Sequence, residues 1–192
     1  MPLYFAYGSN MDRDAMARRC PGSTPLGLAR LPRHRLVIMR EGYASVVRDP
    51  RAVVWGMLWD LALADMPALD RYEGVAGGLY TKVQQAVIGP AGARRALVYI
   101  GRDAGPGVPR PGYVETVLEA GRRAGLPATH LRQIEALSPR VRKADPAKGF
   151  AAIGLQMWPA TPKGREPGTV TPRRTSPLEP ERDRSAGWKW NG

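Results

Sequence analysis

Two short stretches of this chain gather groups that carry reaction chemistry. The first is Tyr4-Phe5-Ala6-Tyr7-Gly8-Ser9-Asn10, an apolar, aromatic run that ends in a glycine and two small polar residues. A strand that turns through glycine into a helix N-terminus aims several free backbone N–H groups at one point. Such a point holds a carboxylate, or the oxygen of a carbonyl as that oxygen gains negative charge, and Gly8 lets a ligand come close to the backbone. The second is Glu73 in Leu69-Asp70-Arg71-Tyr72-Glu73-Gly74-Val75, where a short helix is expected to end. A carboxylate there faces the negative end of the helix dipole, and a surround of Tyr72, Val75 and Leu79 disfavours its charge further. Its pKa is therefore expected to rise, toward the range in which one group takes up a proton and returns it. Taken singly, each stretch has an ordinary alternative: glycine and a capping residue follow many strands, and most glutamates are solvated charges.

Tyr80 and Tyr113 each follow a glycine-containing loop, so each could place a hydroxyl at a pocket rim. Trp55 and Trp59 stand four apart on a strand-like run and share one sheet face, which favours core packing over base stacking. His34, among basic residues, and His130, in a helical stretch, are expected at the surface or as caps. Cys20 ends a helix beside arginines, which could lower its pKa, but no base stands nearby in sequence. A single cysteine excludes an intramolecular disulfide, and two histidines without ligand spacing make a metal-free protein the simplest expectation.

The elements that must position these groups follow from punctuation and periodicity. Residues 3–7 read as a strand and 11–19 as a helix, with Ser9 or Asn10 as cap, Asp12 and Asp14 in the first turn, and Arg18 and Arg19 in the last. Short strands are predicted over 26–31, 36–39, 44–48 and 53–59. A helix over 65–72 has Asp65 as cap and Pro67 in its first turn. Two further strands, near 79–88 and 94–100, precede a glycine- and proline-rich loop over 101–112 and helices over 113–124 and 128–137. Consecutive strands need hairpins, so the expected class is α+β, a mainly antiparallel sheet closing into a small barrel with flanking helices.

Composition sets the outer limits. A chain of 192 residues that is 43% hydrophobic and 24% charged has material for one domain or one domain plus a tail, not two large domains. Residues 159–192 hold six prolines and four glycines, with seven basic against four acidic side chains, and read as a tail to a domain spanning 1–158. Trp188 and Trp190 are expected to pack onto the body or a neighbouring chain. The net charge of +12 favours anionic partners without naming one, and +9 of it falls on residues 1–158. The first residues lack a basic leader with an apolar stretch, and the longest apolar run, 52–59, is far below a membrane span. A cytoplasmic protein is therefore expected.

Taken together the motifs are familiar. Residues Tyr4 to Met11 resemble the YFAYGSN signature of the γ-glutamylcyclotransferase (AIG2-like) family, with Met11 where leucine is usual. Leu69 to Val75 with Tyr80 resemble its second block, LDxxEGV followed by a tyrosine. Ala29-Arg30-Leu31, the Trp55-Gly56 to Trp59 strand, and Pro109 through Tyr113 to Gly125-Leu126-Pro127 also look like the family, so the likeness covers about residues 1–140. The resemblance implies a small mixed β-barrel decorated by helices, and release of a γ-linked glutamyl group as 5-oxoproline. It implies that Glu73 is the acid–base, that Tyr4, Phe5, Ala6, Tyr7, Gly8 and Ser9, with Asn10 and Tyr80, bind the γ-glutamyl group, that Tyr113 closes the pocket, and that the chain pairs as a homodimer.

The chemistry agrees with the residues. Cyclisation needs a flexible chain folded into a near-attack geometry, an ammonium deprotonated and a departing amine protonated, which one carboxylate performs with no cofactor. A non-catalytic module that binds acidic or γ-glutamyl small molecules is the alternative. A nucleic-acid role for the basic tail ranks last, because no arginine–aromatic interleaving or nucleic-acid module is present.

Overall fold

In a computed structural model, which describes residues 2–138, the order is β1 (Leu3–Ala6), α1 (Arg13–Arg19), β2 (Thr24–Ile38), β3 (Ala44–Asp60), α2 (Met66–Tyr72), β4 (Tyr80–Gly89), β5 (Gly92–Gly101), α3 (Tyr113–Ala124) and α4 (Ala128–Glu135). The strands close in the order β1-β3-β2-β4-β5. All pairings are antiparallel except that of β5 with β1, where Tyr4 stands opposite Leu97. The fold is the α+β barrel with flanking helices that the sequence predicts. The tail expected from residue 159 and the packing expected of Trp188 and Trp190 lie outside the described residues.

The four short strands predicted between residues 26 and 59 are two long ones. Pro32 faces Val53 and His34 faces Arg48, so Arg33 alone spans residues 49–52 of β3, and it takes a positive φ of 59°. The proline and charges that read as a break mark a bulge, which bends the hairpin round the barrel without ending it.

Along β1, alternate side chains go to opposite faces, as a period of two requires. Tyr4 and Ala6 join Met57, Trp59, Leu69 and Val117 in the core beneath the helices. Phe5 joins Leu31, Val46, Val54 and Val98 in a second core of strand residues that fills the barrel. Trp59 is buried in the first of these and Trp55 packs against it, which bears out core packing for the pair. β3 comes this close to β1 because residue 56 is glycine: a Cβ there would run into the Ala6 carbonyl and the Phe5 ring.

The helix predicted over 11–19 starts later. After Gly8 the chain makes a 3-10 turn, Ser9–Met11, and α1 is capped by Asp12, whose Oδ1 accepts the Ala15 N–H at 2.7 Å. Neither Ser9 nor Asn10 caps it. Asp65 stands at the cap position of α2, yet its carboxylate accepts instead from the Gly22 N–H (2.9 Å) and the Ser23 hydroxyl (2.7 Å). The loop before α3 is held where Gly107 N–H donates to the Ile38 carbonyl (2.9 Å) and Arg110 N–H to that of Gly42 (3.1 Å).

Both histidines are buried, contrary to the surface placement expected. His34 Nδ1 lies 2.8 Å from the Pro32 carbonyl. His130 Nε2 accepts the Trp55 N–H at 3.2 Å while Nδ1 donates to Gln133 Oε1 at 2.7 Å, so α4 is tied to β3 by a neutral ring. Cys20 is also buried, and burial, with the charge of Asp65 adding to it, pushes its thiol up to about 11, away from a reactive thiolate. Among the described residues no helix is long and apolar enough to cross a membrane.

Candidate active site

Glu73 closes the last turn of α2, its N–H still donating to the Leu69 carbonyl at 2.9 Å, before Gly74 turns the chain away with a φ of 63°. This puts the carboxylate against the chain segment that leaves β1. Asn10 Nδ2 donates to Glu73 Oε1 at 2.7 Å and to the Tyr4 hydroxyl oxygen at 3.0 Å, and the Tyr4 hydroxyl donates to the same Oε1 over 3.4 Å. Glu73 Oε2 has no hydrogen-bond partner among the described residues. The delayed start of α1 matters here, because a capping Asn10 would have its side chain on the helix rather than on Glu73.

Arg19, in the last turn of α1, fixes this arrangement from behind. Its Nη1 donates to Asn10 Oδ1, and its guanidinium lies 3.3 Å from the centroid of the Tyr72 ring. With the carbonyl end of the amide held by Arg19, the NH₂ end must face Tyr4 and Glu73. Ser9 Oγ and the Tyr72 hydroxyl are 3.0 Å apart and close the same side.

Glu73 is half-buried as a residue, and its carboxylate lines the pocket, where it loses much of its hydration. Burial pushes its carboxyl up to about 7, against the opposing pull of Arg19 and of the hydrogen bonds from Tyr4 and Asn10. Asp70, on the same helix, goes the other way. Burial pushes it up too, but Lys82 Nζ at 2.7 Å and the Tyr99 hydroxyl at 2.6 Å outweigh that and hold it below the ordinary aspartate value. Two carboxylates on one short helix are thus driven apart, which is how an anchor and a proton carrier are separated.

The walls are tyrosines. Tyr99 meets the Tyr4 ring edge-on, with centroids 5.6 Å apart, and its carbonyl accepts the Tyr7 hydroxyl at 2.5 Å. The Tyr80 hydroxyl donates to the Ala44 carbonyl at 2.6 Å, and the Tyr113 hydroxyl accepts the Ala44 N–H at 3.1 Å. Burial raises the pKa of all five, so each presents a neutral hydroxyl. A Cβ on Gly8 would stand 3.3 Å from the Tyr113 hydroxyl, so the glycine makes room for that side chain as well as for a ligand. The amides of Gly8, Ser9 and Asn10 precede the first hydrogen bond of the 3-10 turn, from Met11 N–H to the Gly8 carbonyl, and have no partner within the turn.

These groups line a narrow pocket of about 30 Å³. Of the residues named from the sequence, Tyr4, Tyr7, Gly8, Ser9, Asn10, Glu73, Tyr80 and Tyr113 meet in it. Phe5 and Ala6 do not: Phe5 points into the barrel and Ala6 packs in the core beneath the helices. Sequence reasoning missed Arg19, Tyr99 and the Ala44 backbone. Arg19 read only as a helix-end cation, and Tyr99 fell unremarked within the strand predicted near 94–100. Ser9, Glu73, Tyr80 and Tyr113 also border an adjoining chamber of about 260 Å³. Among the described residues no group of three or more His, Cys, Asp or Glu side chains stands so as to hold a metal ion.

The family model described as "Gamma-glutamyl cyclotransferase, AIG2-like" matches residues 4–115, a span that contains every one of these pocket residues. The chain belongs to this family of cyclotransferase enzymes. It is 27% identical over 150 residues to gamma-glutamylcyclotransferase of Homo sapiens, covering 71% of this chain and 79% of the human protein. It is 28% identical over 154 residues to that of Mus musculus, covering 73% and 81%. A solved structure of a gamma-glutamyl cyclotransferase superposes with a TM-score of 0.66 at 25% identity, over 74% of this chain and 90% of the other.

Proposed function

We propose that the chain releases 5-oxoproline from a γ-glutamyl amide, with Glu73 as the single acid–base. The observation that carries this reading is the Glu73 carboxylate, raised to about 7, in one pocket with Gly8, Ser9 and Asn10. The substrate's α-ammonium gives a proton to Glu73 Oε2, the oxygen left without a partner. The freed amine nitrogen attacks the γ-carbonyl carbon, and the oxygen that gains charge is met by amides of the turn after Gly8. Glu73 returns that proton to the departing nitrogen as the carbon–nitrogen bond breaks, and the second proton that the attacking nitrogen must lose follows the same route through Glu73 to the released amine, leaving 5-oxoproline with one N–H and the amine as its ammonium. Protons balance between substrate and side chain. The tyrosine walls hold the glutamyl chain in its folded form and exclude water, which favours cyclisation over hydrolysis.

The test is to incubate the full chain with γ-glutamyl amides and quantify 5-oxoproline against glutamate. Release of 5-oxoproline with stoichiometric free amine is expected. Release of glutamate, or binding without turnover, would contradict the reading.

A further inference from the structure

The narrow pocket accounts for the glutamyl end and leaves the larger chamber beside it unexplained. That chamber is walled by Tyr43, Tyr72, Leu79, Tyr80, Tyr113 and Thr116. Its walls are built rather than incidental. Tyr43 and Tyr113 meet edge-on with centroids 5.3 Å apart, and Leu79 is fixed by its N–H donating to the Gly74 carbonyl at 3.1 Å, in the turn that follows Glu73. Tyr72 is 48% exposed. Two guanidiniums lie on these rings, Arg19 3.3 Å from the centroid of Tyr72 and Arg110 4.8 Å from that of Tyr43. Among the described residues Glu73 is the sole carboxylate on the lining.

We infer that this chamber receives the leaving amine, and that the amine carries a bulky side chain without positive charge, aromatic or branched aliphatic. The inference rests on the cyclisation reading for the identity of the inner group. The group that departs from the γ-carbonyl must lie beside the residue that protonates it, and Glu73 borders both spaces. A glycine-sized leaving group would leave the tyrosine and leucine surfaces wet, whereas a large apolar side chain covers them and gains ring contacts. A cationic amine would find no carboxylate on the lining except the one engaged in proton transfer.

The experiment compares kcat/KM for γ-glutamyl-phenylalanine, γ-glutamyl-leucine, γ-glutamyl-glycine and γ-glutamyl-putrescine, and repeats the series as calorimetric affinities on Glu73→Gln. The phenylalanine and leucine compounds are expected to exceed glycine by about tenfold or more, with putrescine lowest. Tyr43→Ala and Leu79→Ala should each pull the phenylalanine-to-glycine ratio toward one. Turnover without that ranking, or a ratio untouched in both variants, overturns the chamber's role and leaves cyclisation standing. Ranked affinities without any 5-oxoproline keep the chamber and overturn cyclisation, and flat affinities without turnover overturn both.

Discussion

At the scale of single residues, the contact between Arg19 and the Asn10 carbonyl decides which end of the amide meets Glu73. The same guanidinium pulls the pKa of that carboxylate down. It works against burial from α1, while Asp70 on α2 adds a small upward push and Tyr4 and Asn10 supply hydrogen bonds. Arg19→Met should therefore raise the Glu73 pKa further and free the amide to rotate. The acidic limb of the pH–rate profile would move to higher pH, and kcat at pH 7 would fall by about tenfold. Arg19→Lys should restore part of this through charge alone, since an ammonium lacks the flat face that stacks on Tyr72. An unchanged pH profile in Arg19→Met would assign Arg19 to packing only.

At the scale of elements, the 3-10 turn Ser9–Met11 separates what a continuous helix would have merged: Asp12 caps α1 and Asn10 is left for the site. Asp12→Ala should cost about 1 kcal/mol in denaturant unfolding, with Ser9→Ala showing no comparable loss of a cap. Equal losses in both would place the cap where the sequence suggested. This difference also shows what the sequence made legible. Strand, turn and helix around Gly8, the short helix before Glu73, and the order of later elements follow from glycine, proline and apolar spacing, which act locally. The two long strands did not, because Pro32 and Arg33 punctuate a strand and bulge it with the same residues. Arg19, Tyr99 and the burial of His130 were missed for a related reason. Their partners, Asn10 and Tyr72, Asp70, and Trp55, are chosen by barrel closure and helix packing rather than by neighbouring residues.

At the scale of the whole molecule, the site and the core bias stability in opposite directions with pH. The folded carboxyl of Glu73 titrates near 7 against an ordinary 4.5, so the folded state keeps a proton that the unfolded chain releases. Its contribution is present below about pH 4.5 and lost as pH rises through 7. Glu73→Gln should thus be the more stable protein at pH 8, by about 2–3 kcal/mol, with the gap closing toward pH 4. Thermal melts across that range check this, and a gap that stays constant with pH would contradict a desolvated Glu73. Burial pushes the His130 imidazole down, so its contribution is present above its ordinary value of 6.5 and lost as pH falls. The proposed cyclisation turns on proton transfer through one carboxylate, and the rate of 5-oxoproline release by Glu73→Gln measures that most directly. The glutamine keeps the shape and removes the titration. A fall of about a hundredfold or more is predicted, with the fold intact by circular dichroism; release at close to the wild-type rate would contradict the account.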